Sequence, residues 1–162
     1  MDRRIIGLLV AAGLLAVVVI AIVAGRGGGS SDDTTSTADV GTKPNVQVPS
    51  GPPPTKLVIK DLKTGDGAEA KAGDQVSVQY VGVDYKTGKQ FDASWDRGQP
   101  FPFQLGSGQV IPGWDQGVVG MKVGGRRELI VPPDLAYGAQ GQPPAIGPNA
   151  TLVFVIDLIS VN

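Results

Sequence analysis

Residues 151–161 read TLVFVIDLISV, and the way this run is interpreted decides the fold. Leu152, Phe154, Ile156 and Leu158 alternate with Val153, Val155, Asp157 and Ile159. A period of two puts the two sets on opposite faces of a strand. Both sets are largely apolar, so the run is expected to be a long strand covered on both sides and central in its sheet. Working outward, Val76, Val78 and Tyr80 alternate with Ser77 and Gln79, the pattern of a half-buried strand. Residues 84–89, DYKTGK, read as a turn leading into Gln90, Phe91 and Asp92. FPFQL at 101–105 is a second short strand, in which Pro102 asks for an edge position or a bulge. Pro112 suits the first turn of a helix, where Trp114 and Val118 share a face at i, i+4. Gly117 and Gly120 keep that helix short. Residues 121–125 turn into a strand over 126–131, which Pro132 and Pro133 stop, and Arg126 and Arg127 read as its solvated face. The expectation is an α+β domain over residues 55–162, with an antiparallel β-sheet curled around one short α-helix.

What the chain lacks narrows its chemistry. There is no histidine and no cysteine in the 162 residues. That removes Ser-His-Asp and Cys-His catalysis, thiol redox chemistry and the usual zinc and copper ligand sets. Asp32 and Asp33 form the only close acidic pair, in a segment with nothing to position it, so no metal site is expected. The net charge of −1 exerts no pull toward nucleic acid or acidic lipid. Glycine (24) and proline (13) are abundant enough to point to many turns and an unstructured stretch.

Two segments precede the domain. Residues 5–25, IIGLLVAAGLLAVVVIAIVAG, carry no charged side chain, and about 20 helical residues span the hydrocarbon core of a bilayer. Arg3 and Arg4 precede the run, which places the N-terminus in the cytosol and the rest of the chain outside. Residues 1–25 are therefore expected to be a single-pass transmembrane signal anchor. The competing reading is a cleaved secretory signal, which would export the domain as well. Residues 26–54, rich in Gly, Ser, Thr and Pro, read as a flexible linker unable to bury enough apolar area to order itself.

The aromatic residues are unevenly placed. The four Phe, three Tyr and two Trp all fall between Tyr80 and Phe154, and five of them lie within 91–114, FDASWDRGQPFPFQLGSGQVIPGW. They crowd around Gly- and Pro-rich connections, where loops are normally polar. Two readings stand open on composition alone: aromatics stapling irregular loops to the core, or an apolar pocket with a few polar groups at its rim.

The strings YVG at 80–82, GKQFDAS at 88–94, PFPF at 100–103 and GSGQVIPGW at 106–114 decide between them. They are followed in order by GMKVG at 120–124, PDLAYG at 133–138 and PNATLVF at 148–154. Together, with this spacing, the chain from 55 to 162 resembles the FKBP family of peptidyl-prolyl cis–trans isomerases. The resemblance implies a sheet curled around a short helix with a pocket between them. Trp114 would be the floor under the substrate's proline ring, and Tyr80, Phe91, Phe101, Val110, Ile111 and Phe154 its walls. The Ile111 amide would donate to a substrate carbonyl, and the Tyr137 hydroxyl to the bound peptide. Asp92 would be the pocket's one carboxylate, held by Arg97 and Tyr80. For Tyr80 and Phe154 a core role competes with a contact role. For Asp92 the alternative is a turn carboxylate satisfying backbone N–H groups.

No cofactor is implied. The implied partners are proline-containing polypeptides, macrolides of the rapamycin class and, through the N-terminal run, the membrane. A monomer is expected. Departures from the family pattern fall near the flap between Gly138 and Ala150: Gln142 where many members carry histidine, Ala145 where a larger aliphatic residue often lines the rim, and Gln109 for a frequent glutamate. They bear on inhibitor affinity and on preference for the residue before proline. The flap is too short for the chaperone domain that some bacterial members insert. Rival functions are a docking module with little turnover and a structural domain outside the membrane. Phe91, Asp92, Trp114 and Tyr137 are all present, which favours the enzyme.

Overall fold

The structure is a computed structural model and describes residues 41–162. The apolar run at 5–25 and the first part of the expected linker lie outside the described residues. Among the described residues no helix is long and apolar enough to cross a membrane.

Six strands form one antiparallel sheet: β1 (Val58–Lys63), β2 (Gln75–Asp84), β3 (Gln90–Ala93), β4 (Phe101–Gln104), β5 (Arg126–Val131) and β6 (Leu152–Val161). The order is β1-β5-β6-β2-β3, and β4 also pairs with β2. Residues 81–83 of β2 meet β3 and residues 75–78 meet β4, so Pro102 lies opposite Ser77 on a strand paired along one side. The strand expected at 151–161 is β6, flanked by β5 and β2 and buried from Leu152 to Leu158. β1 was not legible: all six of its residues are exposed, and it is held at the edge by its backbone ladder with β5. An edge strand without a buried face leaves no period-two signal to read.

The helix α1 (Pro112–Gly117) crosses the concave face with Pro112 in its first turn. Trp114 and Val118, both fully buried, pack there with Val76, Val78, Tyr80, Leu129, Phe154 and Ile156. A side chain on Gly117 would bring a Cβ to 2.6 Å from Leu129 Cδ1, so the glycine lets the helix lie directly on β5. Its role is close approach as well as short length.

The other face of the sheet is apolar too. Val81, Val83, Tyr85, Ala93, Ile130 and Val153 form a second buried cluster, and Val46 and Val48 pack against it. Residues 41–54, part of the stretch read as linker, thus run as a strap over the sheet. Arg126 Nη2 donates to the Thr42 carbonyl at 2.7 Å, and the Tyr85 hydroxyl lies 3.3 Å from the Gly51 and Pro52 carbonyls. Composition reads such a segment as linker because it cannot form a core of its own. Two valines and the Thr42 carbonyl on Arg126 dock it on an apolar face that already exists.

The solvated reading of Arg126 and Arg127 is corrected. The two point to opposite faces. Arg126 is 4% exposed and forms a bidentate ion pair with Asp157, at 2.6 and 2.7 Å. Arg127 donates to the Gly117 and Val119 carbonyls at 2.8 and 3.0 Å, closing the end of α1, and pairs with Asp61 of β1. Cations suit a helix C-terminus because its last carbonyls lack intrahelical donors.

Candidate active site

Trp114 stands at the centre of an aromatic basin between α1 and the sheet. Its ring meets Tyr80 at 4.9 Å, Phe154 at 5.3 Å, Phe103 at 5.6 Å and Phe101 at 6.2 Å between centroids, three of them edge-on. Phe91 stands edge-on to Phe154 at 5.6 Å. Trp114, Tyr80 and Phe154 are fully buried, whereas Phe91 and Phe101 are half-buried and form the open side. Gly82 makes room for this: a Cβ there would lie 2.5 Å from Phe91 Cζ and 2.8 Å from Phe154 Cε1.

The polar side is a closed triangle. The Tyr80 hydroxyl donates to Asp92 Oδ2, Arg97 Nη1 donates to Asp92 Oδ1 at 2.5 Å, and Arg97 Nη2 reaches the Tyr80 oxygen at 2.8 Å. Arg97 comes from the 3-10 turn Ser94–Arg97 that follows β3. With 13% of its side chain exposed, Asp92 is compensated by a guanidinium and a phenol rather than by water. Burial, then the bond to Asp92, pushes the Tyr80 phenol well above its ordinary range. Burial, then the Asp92 charge, does the same to Tyr137. Both phenols therefore stay protonated donors at neutral pH.

Two donors are left over. Among the described residues neither the Ile111 N–H nor the Tyr137 hydroxyl has a hydrogen-bond partner. Ile111 is the residue before α1, and its carbonyl caps the helix by accepting from Trp114 N at 2.9 Å. The connection that delivers Val110 and Ile111 is tied down by Asp115, whose carboxylate accepts from Gly106 N at 2.8 Å and Gly108 N at 2.9 Å. Tyr137 opens the flap, which closes on itself through paired bonds between Gln142 and Ile146 at 2.8 and 2.9 Å.

The structure thus brings together Tyr80, Phe91, Asp92, Arg97, Phe101, Val110, Ile111, Trp114, Tyr137 and Phe154, the residues singled out from the sequence. It also adds residues to which the sequence reading assigned no role. Phe103 stacks on Phe101 at 5.8 Å and touches Trp114. Ile146 drops from the flap into the core at 2% exposure, an apolar residue in a Gly- and Pro-rich loop that could have flagged it. Ser94 is fully buried, accepts from Tyr80 N at 2.7 Å and donates to Gln79 Oε1 at 2.5 Å, bracing the triangle from behind. Of the departures, Gln109 accepts from Gln104 N at 3.0 Å and ties β4 to the following loop, whereas Ala145 is exposed.

Residues 67–159 match the family model described as FKBP-type peptidyl-prolyl cis-trans isomerase. The chain belongs to this family. It is 62% identical over 120 residues to an FK506-binding protein of Streptomyces anulatus, covering 74% of this chain and 97% of the relative. To a probable FK506-binding protein of Corynebacterium glutamicum it is 53% identical over 118 residues, 73% of this chain and 98% of the relative. Among solved structures it is similar to AtFKBP13, at 39% identity and a TM-score of 0.62, covering 68% of this chain and 96% of that one. Members of the FKBP family are peptidyl-prolyl cis–trans isomerases, and this chain is an enzyme of that type. The FKBP domain carries the aromatic basin and the triangle on its concave side and the strap on its convex side.

Proposed function

We propose that the FKBP domain seats a substrate proline at the open side formed by Phe91 and Phe101, over the buried Trp114, and lowers the barrier to rotation of the preceding amide without any covalent step. Resonance sets that barrier at about 18–20 kcal/mol. Twisting the amide breaks the resonance and makes the carbonyl less polar. A water-poor basin then favours the twisted form over the planar one, which is differential binding of the transition state. The observation that carries this reading is the pair of unengaged donors, the Ile111 amide and the Tyr137 hydroxyl, in one cluster with Trp114. They would hold the peptide on either side of the rotating bond. Asp92, fixed by Arg97 and Tyr80, would supply a compensated carboxylate edge to the basin without drawing in water.

The relatives are FK506-binding proteins, which is the reason to extend the reading to macrolides of the FK506 and rapamycin class, which would occupy the same basin. The apolar run at 5–25 behind Arg3 and Arg4 supports a further proposal: the domain is held at the outer face of the cell membrane, acts there as a monomer and assists the folding of exported proteins.

The test is the cis-to-trans relaxation of a short Leu-Pro peptide with the full chain, with and without rapamycin, beside Asp92→Ala and Trp114→Ala. Acceleration that rapamycin blocks and both variants reduce is expected. A folded protein whose variants isomerise as fast as the parent would remove the site assignment. For the location, alkaline extraction of membranes should leave the chain in the pellet, and its release into the soluble fraction would remove the anchor.

A further inference from the structure

The turn that presents Arg97 to the site is gripped from the opposite side by the strap. Asp96, next to Arg97, accepts from Lys43 Nζ at 2.7 Å through Oδ1 and from Gln90 Nε2 at 2.8 Å through Oδ2. The Lys43 hydrogen bond holds the Asp96 carboxyl below its usual range. Trp95, one residue earlier, packs into the convex-face cluster to which Val46 and Val48 also belong. Ser94, at the head of the same turn, bonds to Gln79 and to the backbone of Tyr80. Ser94, Trp95 and Asp96 are thus all held from the sheet or strap side, leaving Arg97 to reach Asp92 and Tyr80. Lys43, Val46 and Val48 lie outside the residues matched by the family model, 67–159.

We propose that the strap is a positioning element of the isomerase site: Lys43, with Val46 and Val48, sets the Ser94–Arg97 turn so that Arg97 meets Asp92 and Tyr80. This rests on the assignment of Asp92 and Arg97 to the site made above. The parts contribute unequally. The Lys43–Asp96 pair is exposed, at 40% and 52% of the two side chains, and pairs of this kind are weak and screened by salt. It sets register. Docking itself comes from the two valines and from the Thr42 carbonyl on Arg126.

Four variants of the full chain test this: Lys43→Gln, Lys43→Arg, the double Val46→Asp with Val48→Asp, and Asp92→Ala as reference. The readouts are kcat/KM on the Leu-Pro peptide and the NMR signals of the Trp95 indole N–H and the Arg97 guanidinium. K43Q is expected to lower kcat/KM by about twofold to fivefold at low salt, less at high salt, with K43R restoring it. In the double variant the Trp95 and Arg97 signals should shift together, with a loss of roughly tenfold in kcat/KM. A merely structural strap would lower the melting temperature and leave the Arg97 signal in place. Release of the strap, seen at Trp95, with an unmoved Arg97 signal and parental kcat/KM overturns the inference. Should the double variant not fold, equal rates for K43Q, K43R and the parent at low salt overturn it. An Asp92→Ala chain as fast as the parent would instead remove the site assignment and the inference with it. Parental rates in the strap variants beside a slow Asp92→Ala sink the inference alone.

Discussion

Tyr80 packs its ring edge-on to Trp114, donates a hydrogen bond to Asp92 and accepts one from Arg97. Its phenol and that of Tyr137 are held above the ordinary value of 10.0 mainly by burial, so the folded chain keeps two protons that the unfolded chain releases near that pH. The stability they contribute is complete below about pH 10 and is lost as the pH rises through the raised values. The chain has no His and no Cys. We therefore expect kcat/KM to stay level from about pH 6 to pH 10, while the urea midpoint falls above about pH 10 and the rate follows only where the fold is lost. A bell-shaped profile near neutrality would mean that a proton-transferring group takes part. Gly82→Ala is the second residue-scale case. Its Cβ would press on Phe91 and Phe154, and overpacking of this kind costs about 1–3 kcal/mol. Both thermal stability and kcat/KM should drop, and displaced Phe91 and Phe154 ring signals would identify the cause.

Strand β5 shows what an element does with two adjacent arginines. Alternation sends Arg126 to the convex face, against Asp157 and the strap, and Arg127 to the end of α1. Asp157→Asn should destabilise the fold by about 3–5 kcal/mol, because it leaves a buried guanidinium without its counter-charge. The double variant Arg126→Met with Asp157→Leu should lose much less in urea denaturation, since neither change strands a charge. Equal losses in the two would show that packing, not charge, decides there. The other elements differ in how plainly they could be read. β6 was legible because it is buried on both faces, and α1 because Pro112 and the Trp114–Val118 spacing mark its start and face. β1 carries no such mark.

At the scale of the molecule, one sheet separates two apolar clusters. The concave one holds the basin, and the convex one is covered by the strap. A chain beginning at residue 55 would leave Val81, Val83, Ile130 and Val153 less covered than one beginning at residue 41. We expect it to unfold at a lower urea concentration, by about 1–3 kcal/mol, and to bind a hydrophobic dye more strongly. Identical midpoints for the two chains would show that the strap contributes nothing to the fold.

The residues around the basin were readable because the strings that hold them, in their order and spacing, resemble the FKBP family; their composition alone left a core role and a pocket role open. Periodicity likewise announced β2 and β6. Which side chain meets which was a different matter. Lys43 and Asp96 lie 53 residues apart, Arg126 and Asp157 lie 31 apart, and Ser94 reaches Gln79 across 15. A charge or hydroxyl in a strand looks the same in sequence whether it faces water or a partner. Only the closing of the sheet, which sets register and face, gives Arg126 its carboxylate and the segment at 41–54 a surface to lie on.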